Sequence, residues 1–109
     1  MNTDKVIFGV HMASGVVGLS CVNIPGLFSC VDDDWTDAQV MDNLNDALDC
    51  YEDELESRFI ELSVQDIRTL SDEYEDGFLV YDRVKGTLIP CCYEEELIRI
   101  LGLASGIES

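Results

Sequence analysis

The stretch "VDDDWTDAQVMDNLNDALDCYEDELES", residues 31–57, holds eleven Asp and Glu and not one Lys or Arg. It decides the fold because it marks the place where a run of strands gives way to a helix. Thr36 can accept a hydrogen bond from the backbone near Gln39 while the Gln39 side chain reaches back, the reciprocal capping-box arrangement. Trp35 and Val40 take the flanking positions of a hydrophobic staple. From there Val40, Leu44, Ala47, Leu48, Tyr51, Leu55 and Phe59 recur at three- and four-residue spacing, one apolar stripe that predicts a single long helix lying on a sheet. The opposite face carries Asp42, Asp46, Asp49, Asp53 and Glu56.

Upstream, "KVIFGV" alternates with Val6, Phe8 and Val10 on one face, and "VVGLSCV" does the same with Val17, Leu19 and Cys21. The intervening "ASG" reads as a turn, so the two runs form an antiparallel hairpin. "NIPG" then breaks the chain and "LFSCV" supplies a third short strand. Downstream, "SVQDIRTLSDEYED" reads either as a short helix capped by Ser63 or as a loop. "GFLVYDRV" is a further strand, "LIP" a brief fifth one, and "YEEELIRILG" a short C-terminal helix ended by Gly102. The expected fold is α+β: a three-stranded antiparallel sheet, a long acidic helix packed on it, a fourth strand and a short C-terminal helix, in the order β-β-β-α-β-α, with helices on one face. Residues 1–109 form one domain, its core in 5–84 and residues 85–109 an extension.

At 109 residues the chain suits one modest core. Its 47% hydrophobic content is that of a globular protein despite a net charge of -17. That charge opposes compaction and turns away nucleic acid and anionic membranes, so the expected partners are basic. No apolar run of about 18 residues is present and the N-terminus lacks a signal-peptide pattern, which predicts a cytoplasmic location in a bacterial host cell. Five cysteines, Cys21, Cys30, Cys50, Cys91 and Cys92, are odd in number and irregularly spaced, which predicts free thiols.

The segment "IPGLFSCVDDDWTDAQVMDNLNDALD" resembles the HicB family, antitoxins of HicA/HicB toxin–antitoxin systems, through Pro25, Leu27, Cys30, Thr36, Asn43, Ala47 and Leu48 at matching spacings. "GFLVYDRV" is similar to the family's last strand, and the resemblance covers roughly residues 5–84. "GLFS" stands where the family has D-L-P-G. The resemblance implies a partial RNase-H-like or double-stranded-RNA-binding-like β-β-β-α-β fold. Family members usually add a DNA-binding unit; here only 25 residues follow Val84, with Lys85 and Arg99 the only bases among them, and no such unit is expected.

Asp42, Asp46, Asp49 and Asp53, at i, i+4, i+7 and i+11, would place carboxylates about 5–6 Å apart along one helix side, similar to the spacing of strand phosphates. The bland alternative is a solvated helix face. The functional reading gains from seventeen acids in residues 31–76 against only Arg58 and Arg68. Asp32, Asp33 and Asp34 are favoured before a helix N-terminus, and they lack the calcium-loop pattern. Trp35 reads as core or as an interface anchor, with Tyr74 as a second apolar contact. His11 has no nucleophile or acid placed beside it by sequence, the Cys91–Cys92 pair lacks a second C-x-x-C for zinc, and phosphate-loop and nucleotide motifs are missing.

The expected function is therefore a non-enzymatic acidic inhibitor. It would bind, through Asp32, Asp33, Asp34, Trp35, Asp42, Asp46, Asp49, Asp53 and Glu56, the basic surface of a nucleic-acid-binding protein, in the manner of phage anti-CRISPR or anti-restriction mimics. It needs no cofactor or metal and does not itself bind nucleic acid or membrane. Two alternatives are an antitoxin covering a HicA-type mRNA interferase, as the resemblance implies, and a small RNase-H-like hydrolase using Asp82 and Mg²⁺. A homodimer is plausible through an open strand edge at "LFSCV" or "FLVYD".

Overall fold

A computed structural model describes residues 5–50 and 52–102, without the side chains of Glu52, Leu55 and Glu56. Strand β1 (Lys5–Ala13) turns at Ser14 and Gly15 into β2 (Val16–Cys21), and Gly15 takes φ +73°, which costs a residue without Cβ little. β3 (Phe28–Asp32) follows. Then come α1 (Asp37–Asp49), a 3-10 turn at Glu52–Glu54, the single turn α2 (Leu55–Arg58), and α3 (Val64–Glu73). β4 (Phe78–Asp82), β5 (Thr87–Cys91) and α4 (Glu94–Ile100) complete the described order. The strands make one antiparallel sheet in the order β3-β2-β1-β4-β5.

The α+β class and the first hairpin stand as expected, but the sheet has five strands rather than three. β4 joins it beside β1, and β5 is a full strand on the outer edge of β4. Ser63 does start a helix: its hydroxyl accepts from Asp66 N at 3.1 Å while Asp66 Oδ2 accepts from Ser63 N at 3.0 Å. The order is thus longer than the expected β-β-β-α-β-α.

Helices cover both faces of the sheet, where one covered face was expected. Successive side chains of a strand point to opposite sides. Val6, Phe8, Leu19, Cys21, Val31 and Tyr81 meet Val40, Leu44 and Leu48 of α1 on one side. Ile7, Phe78, Val80 and Cys91 meet Ile67 of α3 with Leu97 and Ile98 of α4 on the other. β1 is therefore apolar in both directions. Val6, Ile7 and Phe8 are each at most 1% exposed.

The long helix predicted from Thr36 onward stops at Asp49. No basic residue sits in its last turn, where a cation would offset the negative end of the helix dipole. Asp49, Glu52, Asp53 and Glu54 would instead repel one another at helical spacing. Of the predicted stripe, Val40, Leu44 and Leu48 are buried and Ala47 half-buried, whereas Phe59 reaches the same cluster from beyond α2. Tyr51 and the Leu55 side chain lie outside the described residues.

Asn23, 2% exposed, ties the β2–β3 connection to β1. Its Oδ1 accepts from Ile7 N at 3.1 Å, its Nδ2 donates to Lys5 O at 3.1 Å, and Cys21 Sγ lies 3.2 Å from Oδ1. Asn23→Leu should lower stability by about 2–4 kcal/mol in urea unfolding, because the buried Ile7 N–H and the partly buried Lys5 carbonyl lose their partners; a loss under about 1 kcal/mol would show that the loop holds without them.

Burial pushes the Cys21 thiol up to about 12, against the lowering effect of its hydrogen-bonding surroundings, and the Cys91 thiol up to about 11, helped by the nearby Glu96 charge. Cys30, Cys50 and Cys92 are exposed. Alkylation at pH about 8 followed by mass spectrometry should label these three quickly and Cys21 and Cys91 only in denaturant. The unfolded thiols lose protons from pH 9.0, before the folded ones. Unfolding free energy should consequently be unaffected by these groups below that pH and fall as pH climbs toward 12.

Candidate acidic interface

The acidic surface is built on α1 from its first residue. Gln39 N donates to Thr36 Oγ1 at 3.3 Å and Thr36 N donates to Gln39 Oε1 at 2.8 Å, so the capping box read from the sequence is present. Trp35 is half-buried against the cluster that includes Val40. Its backbone N–H donates to Asp32 O at 3.2 Å, and Asp33 N donates to Gly15 O at 3.2 Å, which fixes the acidic turn to the first hairpin.

Two asparagines hold α1 on the sheet. Asn43 is hydrogen-bonded to the Ser29 hydroxyl on β3, and Asn45 Oδ1 accepts from the Tyr81 hydroxyl on β4 at 2.7 Å. At about 100° per residue, Asp42, Asp46 and Asp49 then project almost opposite the buried Val40–Leu44–Leu48 stripe. All three are exposed, as are Asp32, Asp33 and Asp34. An open, shallow groove runs along the helix between Trp35, Gln39, Asp42, Asn43 and Asp46. The structure therefore brings Trp35 together with two of the predicted carboxylates.

Other predicted members separate. Asp53 is exposed but lies in the 3-10 turn past the helix end, so the four-acid ladder is a three-acid one. The Glu56 side chain lies outside the described residues. Tyr74 is on the other side of the sheet: it packs over Gly9, where an added Cβ would come within 2.5 Å of its ring, and its ring centre is 6.1 Å from that of Phe78. It shares no surface with Trp35.

The carboxylates of α1 and of the turn before it form no ion pair among the described residues; Arg58 pairs with Glu54 at 3.2 Å and Arg68 lies 3.7 Å from Glu94. Asp82 is 4% exposed, and its Oδ1 accepts from Val84 N and Lys85 N at 3.1 Å each, so it shapes the β4–β5 turn. His11 is exposed on β1. Among the described residues no group of three or more His, Cys, Asp and Glu is placed to hold a metal ion.

Sequence reasoning missed the two asparagines that hold the helix in place. Asn43 and Asn45 carry a faint signal, since both flank the buried Leu44, yet the hydroxyls they meet are 14 and 36 residues away. It also treated "FLVYD" as a possible free edge, but β4 is interior, hydrogen-bonded to β1 and β5. No family model, curated protein or solved structure matches the chain.

Like charges at i, i+4 oppose each other by a few tenths of a kcal/mol, and Asp49 also faces the unfavourable end of the helix dipole. Replacing Asp42, Asp46 and Asp49 together with Asn should raise stability by about 0.5–1 kcal/mol at low salt and flatten its rise with added salt. Thermal unfolding at about 0.02 M and 0.2 M NaCl checks both; a loss of stability would mean that these carboxylates serve the fold.

Proposed function

We propose that the chain is a non-enzymatic inhibitor whose acidic surface occupies the basic nucleic-acid-binding surface of a partner protein, as phage-encoded anti-CRISPR and anti-restriction mimics do. The observation that carries this reading is the arrangement of Asp42, Asp46 and Asp49: exposed, unpaired among the described residues, and held on a helix clamped at both strand β3 and strand β4. Like charges at this spacing oppose one another, yet all three lie in line on one exposed helix face. Long-range attraction from such a surface speeds encounter with a cationic groove and is screened by salt. Trp35, half-buried beside Asp42 and Asp46, supplies apolar contact area. Occupation of the groove excludes nucleic acid without any chemical step. The working location is the cytoplasm of a bacterial host.

A second reading keeps the same masking and changes the partner: a HicB-like antitoxin covering a HicA-type ribonuclease. It draws support from the capping box at Thr36 within the segment that resembles that family, whereas the element order departs from the family's, with α2 and α3 between α1 and β4. The two readings part on the protein recovered. Affinity capture from host lysate at about 0.1 M salt, with a second wash at about 0.5 M, should return a DNA-handling defence effector under the first and a small basic ribonuclease under the second. Asp42, Asp46 and Asp49 changed to Lys should weaken inhibition of the captured protein by about tenfold or more; unchanged inhibition would sink the masking idea.

A further inference from the structure

β3 is an edge strand, and its outer side has no strand partner among the described residues. Its register with β2 runs from Val16↔Asp32 to Ser20↔Phe28. Beyond the two ends of that register, Cys21 N donates to Leu27 O at 2.9 Å and Asp33 N donates to Gly15 O at 3.2 Å. In an antiparallel ladder hydrogen-bonded and non-bonded pairs alternate. Leu27, Ser29, Val31 and Asp33 therefore bond toward β2, and Phe28, Cys30 and Asp32 turn their backbone groups outward. Among these, the Asp32 carbonyl is taken by Trp35 N–H. The N–H groups of Phe28, Cys30 and Asp32 and the carbonyls of Phe28 and Cys30 face outward with no backbone partner among the described residues.

The side chains agree with an unfinished edge. Phe28, Cys30 and Asp32 share the sheet face opposite α1. Phe28 is 72% exposed and Cys30 is exposed. Next to them that face presents Val16, Gly18 and Ser20 of β2 and His11 of β1, while Gly9 lies beneath Tyr74. The other edge differs, because β5 contains Pro90, which has no N–H to offer.

Charge selects the occupant. A second copy would bring another net charge of -17 and its own Asp32, Asp33 and Asp34 against this edge. A strand bearing Lys or Arg at alternate positions meets complementary charge at the same place. We propose that β3 accepts, by strand addition, an extended basic segment of the partner protein, its main chain pairing with Phe28, Cys30 and Asp32 and its cationic side chains meeting Asp32–Asp34. This rests on the masking reading and names how the partner is gripped. The α1 acids attract; the β3 edge sets the register.

The probe is a capped hexapeptide alternating lysine and valine, long enough to span β3 at about 3.3 Å per residue. Added to the full chain at about 0.1 M salt, it should protect the amides of Phe28, Cys30 and Asp32 from hydrogen exchange, and the protection should fade at about 0.5 M. Cys30→Pro removes an outward donor and leaves the inward bonds of Ser29 and Val31, so it should weaken binding by about tenfold with the circular dichroism spectrum unchanged. The same peptide N-methylated on the amides that would pair with β3 should fail against the unaltered chain, which tests main-chain pairing without any substitution. Equal binding by a glutamate–valine peptide, protection confined to α1, or a dimer in sedimentation that Cys30→Pro dissolves would each overturn the proposal. If the edge fails while the α1 substitutions still weaken inhibition, masking stands without it; if the edge binds and those substitutions change nothing, masking falls instead.

Discussion

Everything in this fold follows from β1 being apolar on both of its faces. Val6 and Phe8 point one way and Ile7 the other, and all three are sealed from solvent. A strand of that kind needs a layer on each side and a neighbour at each edge. β2 and β4 supply the neighbours. α1 covers one face, and α3 with α4 covers the other. Asn23 completes the arrangement by satisfying the Ile7 amide and the Lys5 carbonyl where the chain leaves β2.

The two layers are unequal, and the difference shapes the surface. α3 and α4 lie over β1, β4 and β5, with Tyr74 reaching over Gly9. The same face of β2 and β3 shows Ser20, Gly18, Phe28 and Cys30 instead. On the opposite side α1 spans from Ser29 to Tyr81 through its two asparagines, so its outer face is held at a defined angle. The acids on that outer face weaken the helix that carries them. The helix ends at Asp49 with no cation in its last turn, and the chain proceeds through a 3-10 turn to bring Phe59 back to the core.

The proposed masking requires attraction at a distance and a defined grip at contact. Carboxylates on a solvated helix provide the first, since their field extends over roughly a Debye length, about 10 Å at 0.1 M salt. They provide little of the second, because exposed ion pairs contribute at most about 1 kcal/mol each. Directional groups serve better for the grip. Trp35 beside the α1 acids and the outward backbone of β3 are the parts of this surface that have direction.

Local chemistry was legible in the sequence. The Thr36 capping box, the first hairpin with its turn at Gly15 and the Gly102 stop each depend on residues within a few positions of one another, so spacing alone determined them, whereas the Ser63 helix start stayed open between helix and loop until the fold showed it. The excess of acids on α1 was equally plain, as was the burial of Val40, Leu44 and Leu48 beneath them. What the tertiary structure decided was everything that depends on a distant partner. "VIFGV" and "FLVY" are near-continuous apolar runs, the pattern of a strand buried on both faces, although alternation assigns only Val6, Phe8 and Val10 to a face. The positions of α3 and α4 show what covers the second face. Whether Asp53 extends the ladder depended on where repulsion would stop the helix, whether Phe28 is core or surface depended on which strands a helix covers, and whether Asp82 acts in a site or holds a turn depended on the backbone amides folded around it. Sequence spacing carries interactions between neighbours; burial and pairing across the sheet are long-range, and the chain states them only once it has folded.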